Sequence, residues 1–595
     1  MLDTLTQRGP DGRGVEILAE GRVILGHRRL AIIDLSAAGR QPMANEDGSV
    51  WLSCNGEIYN YRELRSNLRE LGHVFRSASD SEVLLHAWEE WGEDMLGRLE
   101  GIFAFALWDA NREVLLLARD PIGVKPLYYA QYAGNFTFAS QPKAIVADPA
   151  FARELDNDAL RDFFAFGYVP HERAIFKRMH KLPAAHFAVV RDGKIEVKRY
   201  WQLRPQITTM PLAEAAWRLR DALSAAVDKQ LVSDVPVGCF LSGGIDSSLL
   251  VALATPSVSK LRSFTIGFDH RDSDERAWAG IVAQHFSTEH HEQVIEASDL
   301  SAKLIALGEF YDEPFDPNGP LPFMAVSELA RRHNTVVNIG GDGADELFAG
   351  YRRYDDFDCP LAAASGAKRK LWRTLRLAGL LADRSLNDSD LQRYFAYEGC
   401  LNDDDQIPLL GASFRANLKD SASSTLARFF RRDLAPVDAA RYADMNLYLV
   451  DHILTKVDRA SMAYGVEARV PFLDPKVVEL AFQFPTSINY ANGERKAVLK
   501  LIAQQFLPAS IVSARKKGFS TPLETWRNKR FDAWATSCVS DGMLMQSGVL
   551  NPDAVDSAGE LRGLDSAQAA RGRWLVLTAE LWARRWLGEA LPEAA

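Results

Sequence analysis

Two short loops concentrate the residue types that handle phosphate and metal. The first is Phe240-Leu241-Ser242-Gly243-Gly244-Ile245-Asp246-Ser247-Ser248. The apolar run Val235–Leu241 reads as a buried strand leading into it, and Asp246 onward reads as a helix. Glycines let a backbone approach an anion closely, and the unpaired N–H groups of a first helical turn point at it. The hydroxyls of Ser242, Ser247 and Ser248 add donors, so phosphate is the natural guest. No Gly-Lys-Ser/Thr follows, as a Walker A loop requires, and the glycine offsets differ from the dinucleotide fingerprint. A glycine-rich turn without a ligand is the alternative.

The second loop is Ile339-Gly340-Gly341-Asp342-Gly343-Ala344-Asp345-Glu346, after a predicted strand Thr335–Ile339. Magnesium prefers carboxylates together with phosphate oxygens. Asp246 and Asp345 end two strands that could neighbour each other in a parallel sheet, which makes them candidate metal ligands. A solvated acidic turn is the competing reading.

The elements that must position these loops follow from periodicity. From about residue 212 a helix (212–231), the strand and first loop, a strand (262–268), a helix (274–286) and a strand (290–295) alternate. Such alternation implies a doubly wound parallel sheet, with ligands at the carboxyl ends of its strands. Beyond about 360 the chain reads mostly helical. Residues 1 to about 200 differ. Val23–Leu25, Leu30–Ile33, Ile102–Leu107 and Val114–Ala118 read as strands, with helices near 61–71 and 81–91, which suggests an α+β sandwich. A Pro-bounded polar segment ending near Pro211 reads as a linker.

Composition narrows the class. A chain of 595 residues is multidomain, and 47% hydrophobic with 25% charged residues is ordinary for a soluble enzyme. A net charge of -10 argues against nucleic acid as the main partner. The 5 cysteines are scattered without Cys-x-x-Cys spacing, so neither a disulfide framework nor a zinc module is expected. No apolar stretch is long enough for a membrane span and no signal peptide opens the chain, so a cytoplasmic location is expected.

With these residues in view, Ser-Gly-Gly-x-Asp-Ser resembles the pyrophosphate loop of ATP pyrophosphatases, and nearly the whole chain resembles glutamine-dependent asparagine synthetases. The matching blocks in the carboxyl half are Ser242–Ser248, Gly340–Tyr351, Lys456–Ala463 and Gly465–Asp474. Those in the amino half are Arg8–Asp11, Gly26–Leu30, Asn55–Asn60, Ser79–Glu82 and Arg119–Tyr129. The resemblance implies a glutaminase domain over 1–200, an α+β sandwich of the N-terminal-nucleophile hydrolase type. A synthetase domain of the ATP-pyrophosphatase type follows over 212–595, an α/β unit with a parallel sheet and a helical end.

The implied reaction is adenylation of the aspartate side chain by ATP, then attack by ammonia drawn from glutamine. Ser242, Gly243, Gly244, Ser247 and Ser248 would hold pyrophosphate. Asp246 and Asp345 would hold Mg²⁺, and the backbone around Phe240, Ile266, Ile339 and Gly340 would frame adenine and ribose. Lys496, in Gly493-Glu494-Arg495-Lys496, matches the family's catalytic lysine; read alone it would be a helix-surface lysine. Arg515, Lys516 and Lys517 form a basic run that could assist or be a solvated face. Asp342 stands where the family has a glutamate that takes a proton from ammonia. For glutamine, Arg29 would grip the carboxylate, Glu57 and Asp80 the ammonium, and Asn55 with the Gly56 N–H would form an oxyanion hole. The partners are small molecules, with no nucleic acid and no membrane, and a homodimer stays open.

One departure alters the expectation. The family's glutaminase uses a cysteine directly after the initiator methionine, and residue 2 here is Leu2. The segment Met1–Asp11 resembles family sequence further in, so the first strand and nucleophile are expected to be missing, and Gln7 replaces a histidine common before Arg-Gly-Pro-Asp. Either the true start lies upstream or the protein uses free ammonia, and the retained glutamine-site residues favour the first. Cys54, the local thiol, reads as a small core hydrophobe. His27 and the pair His290-His291 need no metal. Two rival functions are kept: an amidotransferase or lactam-forming synthetase acting on another carboxylate in secondary or polysaccharide metabolism, and a non-catalytic glutamine sensor.

Overall fold

The computed structural model describes residues 1–270, 274–298, 300–358, 370–371, 374–375, 386–491, 494–514, 521–555 and 561–588. The basic run Arg515, Lys516 and Lys517 lies outside them.

The amino half is layered. Strands β1 (Gly12–Leu18) and β2 (Val23–Arg29) form an antiparallel pair. Strands β3 (Met43–Ala44), β4 (Val50–Ile58), β5 (Gly101–Asp109) and β6 (Val114–Arg119) enter a six-stranded antiparallel sheet. Strands β7 (Tyr128–Tyr132), β8 (Asn135–Ala139) and β9 (Met179–Lys181) make a separate three-stranded sheet. The larger sheet is completed by β10 (His186–Arg191) and β11 (Lys194–Arg199) and runs β11-β10-β6-β5-β4-β3.

Strand β5 shows how period-two patterning builds the layers. Phe103, Phe105 and Leu107 join the core under helices Tyr61–Glu70 and Glu82–Trp91. Ala104, Ala106 and Trp108 join the core beneath the smaller sheet. Both faces are covered, which is why β5 reads as one continuous apolar run rather than an alternating one.

The carboxyl half holds a parallel five-stranded sheet. Its strands are β12 (Val237–Phe240), β13 (Arg262–Phe268), β14 (Glu289–Ile295), β15 (Val337–Ile339) and β16 (Glu467–Arg469), in the order β14-β13-β12-β15-β16. Helix Leu212–Gln230 lays Ala215, Leu219, Leu223 and Ala226 on the core, a spacing of three to four residues that keeps one face inward. Helix Ser566–Leu587 starts at a capping box in which Asp565 and Gln568 satisfy each other's backbone N–H groups. No helix among the described residues is long and apolar enough to cross a membrane.

Two features depart from the pattern of the sequence. Leu30–Ile33, expected as a strand, is irregular. Arg29 reaches over this segment and donates to the carbonyls of Ile33, Asp34 and Ser36, so a guanidinium satisfies backbone groups that a neighbouring strand would otherwise take. Conversely β16 was not expected, because Glu467-Ala468-Arg469 carries two charges in three residues.

The halves share their cores: Tyr59, Ile102 and Ile122 pack into the same cluster as Leu241, Leu249 and Phe472. Buried ion pairs cross between them as well, Arg8 with Asp458 at 2.6 Å and Lys125 with Glu467 at 3.0 Å.

Candidate functional site

The parallel sheet brings the two loops together. Strands β12 and β15 are direct neighbours, with Cys239 opposite Ile339, so the loops that follow emerge side by side. The Gly341 backbone lies against Asp246, a Cβ there falling 3.2 Å from the Asp246 Cβ. Helix Ile245–Ala254 begins directly after Gly244, and its first turn carries Asp246, Ser247 and Ser248. Ser242 and Ser247 bond each other through their hydroxyls at 3.1 Å, and the Ser242 hydroxyl accepts from the Gly244 N–H at 3.3 Å. These bonds tie the loop to the first turn of the helix. The Ser248 hydroxyl is buried and has no hydrogen-bond partner among the described residues.

Lys496 is not a surface lysine. It is only 4% exposed, and its ammonium lies 2.7 Å from Asp246 and 2.7 Å from Asp345. Burial opposes its charge, but the two carboxylates outweigh burial and hold its pKa above the ordinary lysine value. Its backbone sits in the left-handed region at φ 52°, where a non-glycine residue is strained, just before helix Ala497–Ala503. Gly350 makes room for this contact. A Cβ there would fall 1.8 Å from Asp345 Oδ1 and 2.2 Å from Lys496 Cε, so any larger residue would drive the pair apart.

The remaining acids of the second loop are distributed differently. Asp342 accepts from the Lys456 ammonium at 3.1 Å, and that ammonium lies 5.3 Å from the centre of the Phe323 ring. Glu346 turns inward and accepts from the Tyr351 hydroxyl at 2.6 Å. Burial, then the charge of Asp345, pushes its pKa up to about 7. Phe240 and Ile339 end the neighbouring strands, Ile266 lies in adjacent β13, and the Gly340 N–H donates to the Arg469 carbonyl at 2.8 Å. Phe240 packs edge-on against Phe323 at 5.1 Å.

In the amino half, Arg29, Asn55, Gly56, Glu57 and Asp80 all line one cavity of about 650 Å³. Asn55 and Gly56 lie inside β4 rather than in a turn. Gly56 has φ +134°, and a Cβ would sit 2.0 Å from the Ile102 carbonyl oxygen, so close pairing with β5 requires glycine there. The Asn55 side-chain amide nitrogen is buried and has no partner among the described residues, a donor held ready for a guest. Asp80 is buried and accepts from the Ile58 N–H at 2.9 Å, and burial raises its pKa to about 6. Cys54 belongs to the core on the helix side of the sheet, and burial pushes its pKa well above the usual thiol value. His27 meets the Ser53 hydroxyl at 3.1 Å, and His291 stacks on His333 at 3.7 Å, as structural histidines do.

Sequence reasoning missed the partner of Glu57. Its carboxylate faces the fully buried guanidinium of Arg469 across the domain boundary. Arg469 also pairs with Glu467 at 3.0 Å and donates to the carbonyls of Gln230 and Val232 at 2.6 and 2.7 Å. Glu467 in turn pairs with Lys125. The one available signal was that charged residues recur inside otherwise apolar matching blocks.

Comparison with known proteins places both halves. The family model described as asparagine synthase matches residues 218–584, and that described as a glutamine amidotransferase domain matches residues 1–201. The chain is 31% identical to the glutamine-hydrolysing asparagine synthetase 1 of Bacillus subtilis over 98% of its own length and 92% of that relative's. It is 32% identical to a glutamine-hydrolysing asparagine synthetase described as putative in Mycobacterium tuberculosis, over 97% of this chain and 92% of the relative. A Penicillium rubens protein named as amidase chyE is 28% identical over 88% of the chain and 84% of its own length.

Proposed function

The chain belongs to the asparagine synthase family, and from that premise we propose that it joins nitrogen to the side-chain carboxylate of aspartate at the expense of ATP, through a β-aspartyl adenylate, releasing AMP and pyrophosphate. The observation that carries this reading is the pair Asp246 and Asp345 closed on one buried ammonium, Lys496, at the ends of neighbouring parallel strands.

The chemistry sets what the site must do. A carboxylate has to attack a polyanion, so positive charge must cancel the repulsion and then follow the departing pyrophosphate. Lys496 supplies one such charge and is held protonated by its surroundings. The helix at Ile245 and the hydroxyls of Ser242, Ser247 and Ser248 offer donors to the phosphates. Asp246 and Asp345 fit Mg²⁺ as an oxygen donor pair that already brackets a cation, and the ion would supply further neutralisation of the phosphates. Asp342 stands ready to take a proton from ammonia. Glu346, titrating near neutrality one residue beyond Asp345, is a second candidate for that role.

Residues 1–200 form the proposed nitrogen-supplying domain and 212–595 the proposed synthetase. In the first, Asp80 would hold the glutamine ammonium beside the Arg29 guanidinium, and Asn55 with the Gly56 N–H would receive the amide oxygen. Glu57 supports this pocket through Arg469. Cys54 does not supply a nucleophile, because its thiol is packed into the core and burial makes it hard to ionise.

Two experiments test the reading. AMP formation by the 595-residue protein is measured with ATP, Mg²⁺ and a panel of carboxylic acids, supplying ammonium chloride or glutamine. Aspartate with ammonium is expected to give asparagine and AMP in equal amounts; AMP formation driven by another acid and not by aspartate would transfer the reading to the amidotransferase alternative. Glutamine affinity is then followed by calorimetry against pH. Asp80 must be ionised to hold an ammonium, so affinity is expected to be level above its pKa of about 6 and to fall roughly tenfold per unit below it. A flat profile down to pH 5 would remove Asp80 from the pocket's charge recognition.

A further inference from the structure

Outside both pockets, three elements of the amino half converge on a cluster that neither reaction uses. His73 lies between helices Tyr61–Glu70 and Glu82–Trp91, His86 and Glu89 lie on the second helix, and Glu46 lies in the turn between β3 and β4. Ligand atoms of His73, His86 and Glu89 all fall within 4.8 Å of one another. Glu89 Oε2 is 2.9 Å from His86 Nδ1 and 3.6 Å from His73 Nδ1, and Glu46 Oε2 is 3.9 Å from His86 Nδ1. A tetrahedral zinc site with bonds of about 2.1 Å separates its ligand atoms by about 3.4 Å. The observed distances bracket that value.

The outward nitrogens give independent support. Each ring turns its Nδ1 toward the shared carboxylate and its Nε2 toward a different one. His73 Nε2 lies at hydrogen-bond distance from Glu90, 3.4 Å, whereas His86 Nε2 faces Glu82 at 3.9 Å without bonding it. Glu82 is itself fixed by the N–H groups of Arg76 and Ser77, at 2.7 and 2.8 Å, and by the Ser77 hydroxyl at 2.6 Å. Carboxylate, imidazole, metal is the order in which histidine ligands are normally oriented. His86 is 1% exposed, and its Nε2 has no hydrogen-bond partner among the described residues. The edge of Phe75 against the His86 ring, 4.5 Å away, walls the cluster on one side.

We infer that His73, His86 and Glu89, completed by Glu46, form a binding site for a divalent transition metal of the zinc type. Two imidazoles and two carboxylates make an N₂O₂ set that suits zinc and cobalt better than magnesium. Bound there, the ion ties the β3–β4 turn and the 73–81 segment to helix Glu82–Trp91, and so steadies the chain that leads to Asp80.

The test loads the 595-residue protein with Co²⁺ in excess Mg²⁺, which occupies oxygen sites, and reads the visible ligand-field spectrum before and after Zn²⁺ is added. One cobalt per chain with intense tetrahedral bands, displaced by zinc, is expected. His73→Asn and Glu89→Gln are each expected to weaken zinc binding at least ~10-fold and to abolish the zinc-dependent rise in melting temperature. Ammonium-driven AMP formation should be unchanged in both variants, which reports that they are folded. A weak octahedral spectrum, or tetrahedral bands that survive when His73→Asn and Glu89→Gln are combined, would overturn the assignment and leave the cluster as a set of histidine–carboxylate pairs.

Discussion

Replacing Lys496 with glutamine is expected to lower aspartate- and ammonium-dependent AMP formation by ~10³-fold or more, about 4 kcal/mol of transition-state stabilisation. Lys496 is the buried cation shared by Asp246 and Asp345, and its charge is fixed by them rather than by solvent. Glutamine keeps much of the length and removes the charge. Charge that develops on phosphorus and pyrophosphate then loses a preorganised partner. Arginine should not rescue activity, because Gly350 already lies so close to Lys496 Cε that even a methyl group on Gly350 would collide. Steady-state rates with circular dichroism as a fold control decide the matter. Activity within tenfold of the parent would remove Lys496 from the chemistry.

The second large effect is on stability. Arg469→Met is expected to cost ~3–5 kcal/mol, measured by denaturant unfolding, because Glu57 and Glu467 are then left buried with Lys125 as their remaining cation. Glu57 already has its pKa pushed up by burial, despite the nearby guanidinium. In the variant its folded pKa lies further above the unfolded value. Destabilisation therefore grows as pH rises above the ordinary carboxylate range and shrinks as pH falls and Glu57 takes up a proton. Pairing the change with Glu57→Gln should recover part of the loss, the mark of two groups acting as one unit. A cost below about 1 kcal/mol would show that water reaches this layer.

Much of the synthetase site was legible because its signals are local. A strand, two glycines and a helix start occupy nine consecutive residues in Phe240–Ser248, and the 339–346 loop repeats that grammar with acids. Parallel alternation allowed the two loops to be neighbours, and β12 and β15 do pair directly. Lys496 was reached only through resemblance, since a left-handed lysine ahead of a short helix carries no periodic signal. β16 was illegible for a physical reason: its charges are satisfied by Glu57, Lys125 and two carbonyls from distant parts of the chain, and hydrophobic patterning cannot anticipate such partners. The false strand at Leu30–Ile33 fails in the opposite sense. Its apolar pattern is real, but Arg29 takes the carbonyl of Ile33 at its end and those of Asp34 and Ser36 just beyond. The His73–His86–Glu89 cluster escaped because its histidines stand on separate elements, without the spacing that marks zinc motifs.

The most direct test of the adenylation centre follows oxygen. Aspartate labelled with ¹⁸O in its side-chain carboxylate is turned over with ATP, Mg²⁺ and ammonium, and the nucleotide product is examined by mass spectrometry or ³¹P nuclear magnetic resonance. Attack of that carboxylate on the α-phosphorus, followed by displacement by ammonia, leaves one labelled oxygen in AMP. Label in inorganic phosphate alongside ADP, or AMP free of label while asparagine forms, would contradict an adenylate made at Asp246, Asp345 and Lys496.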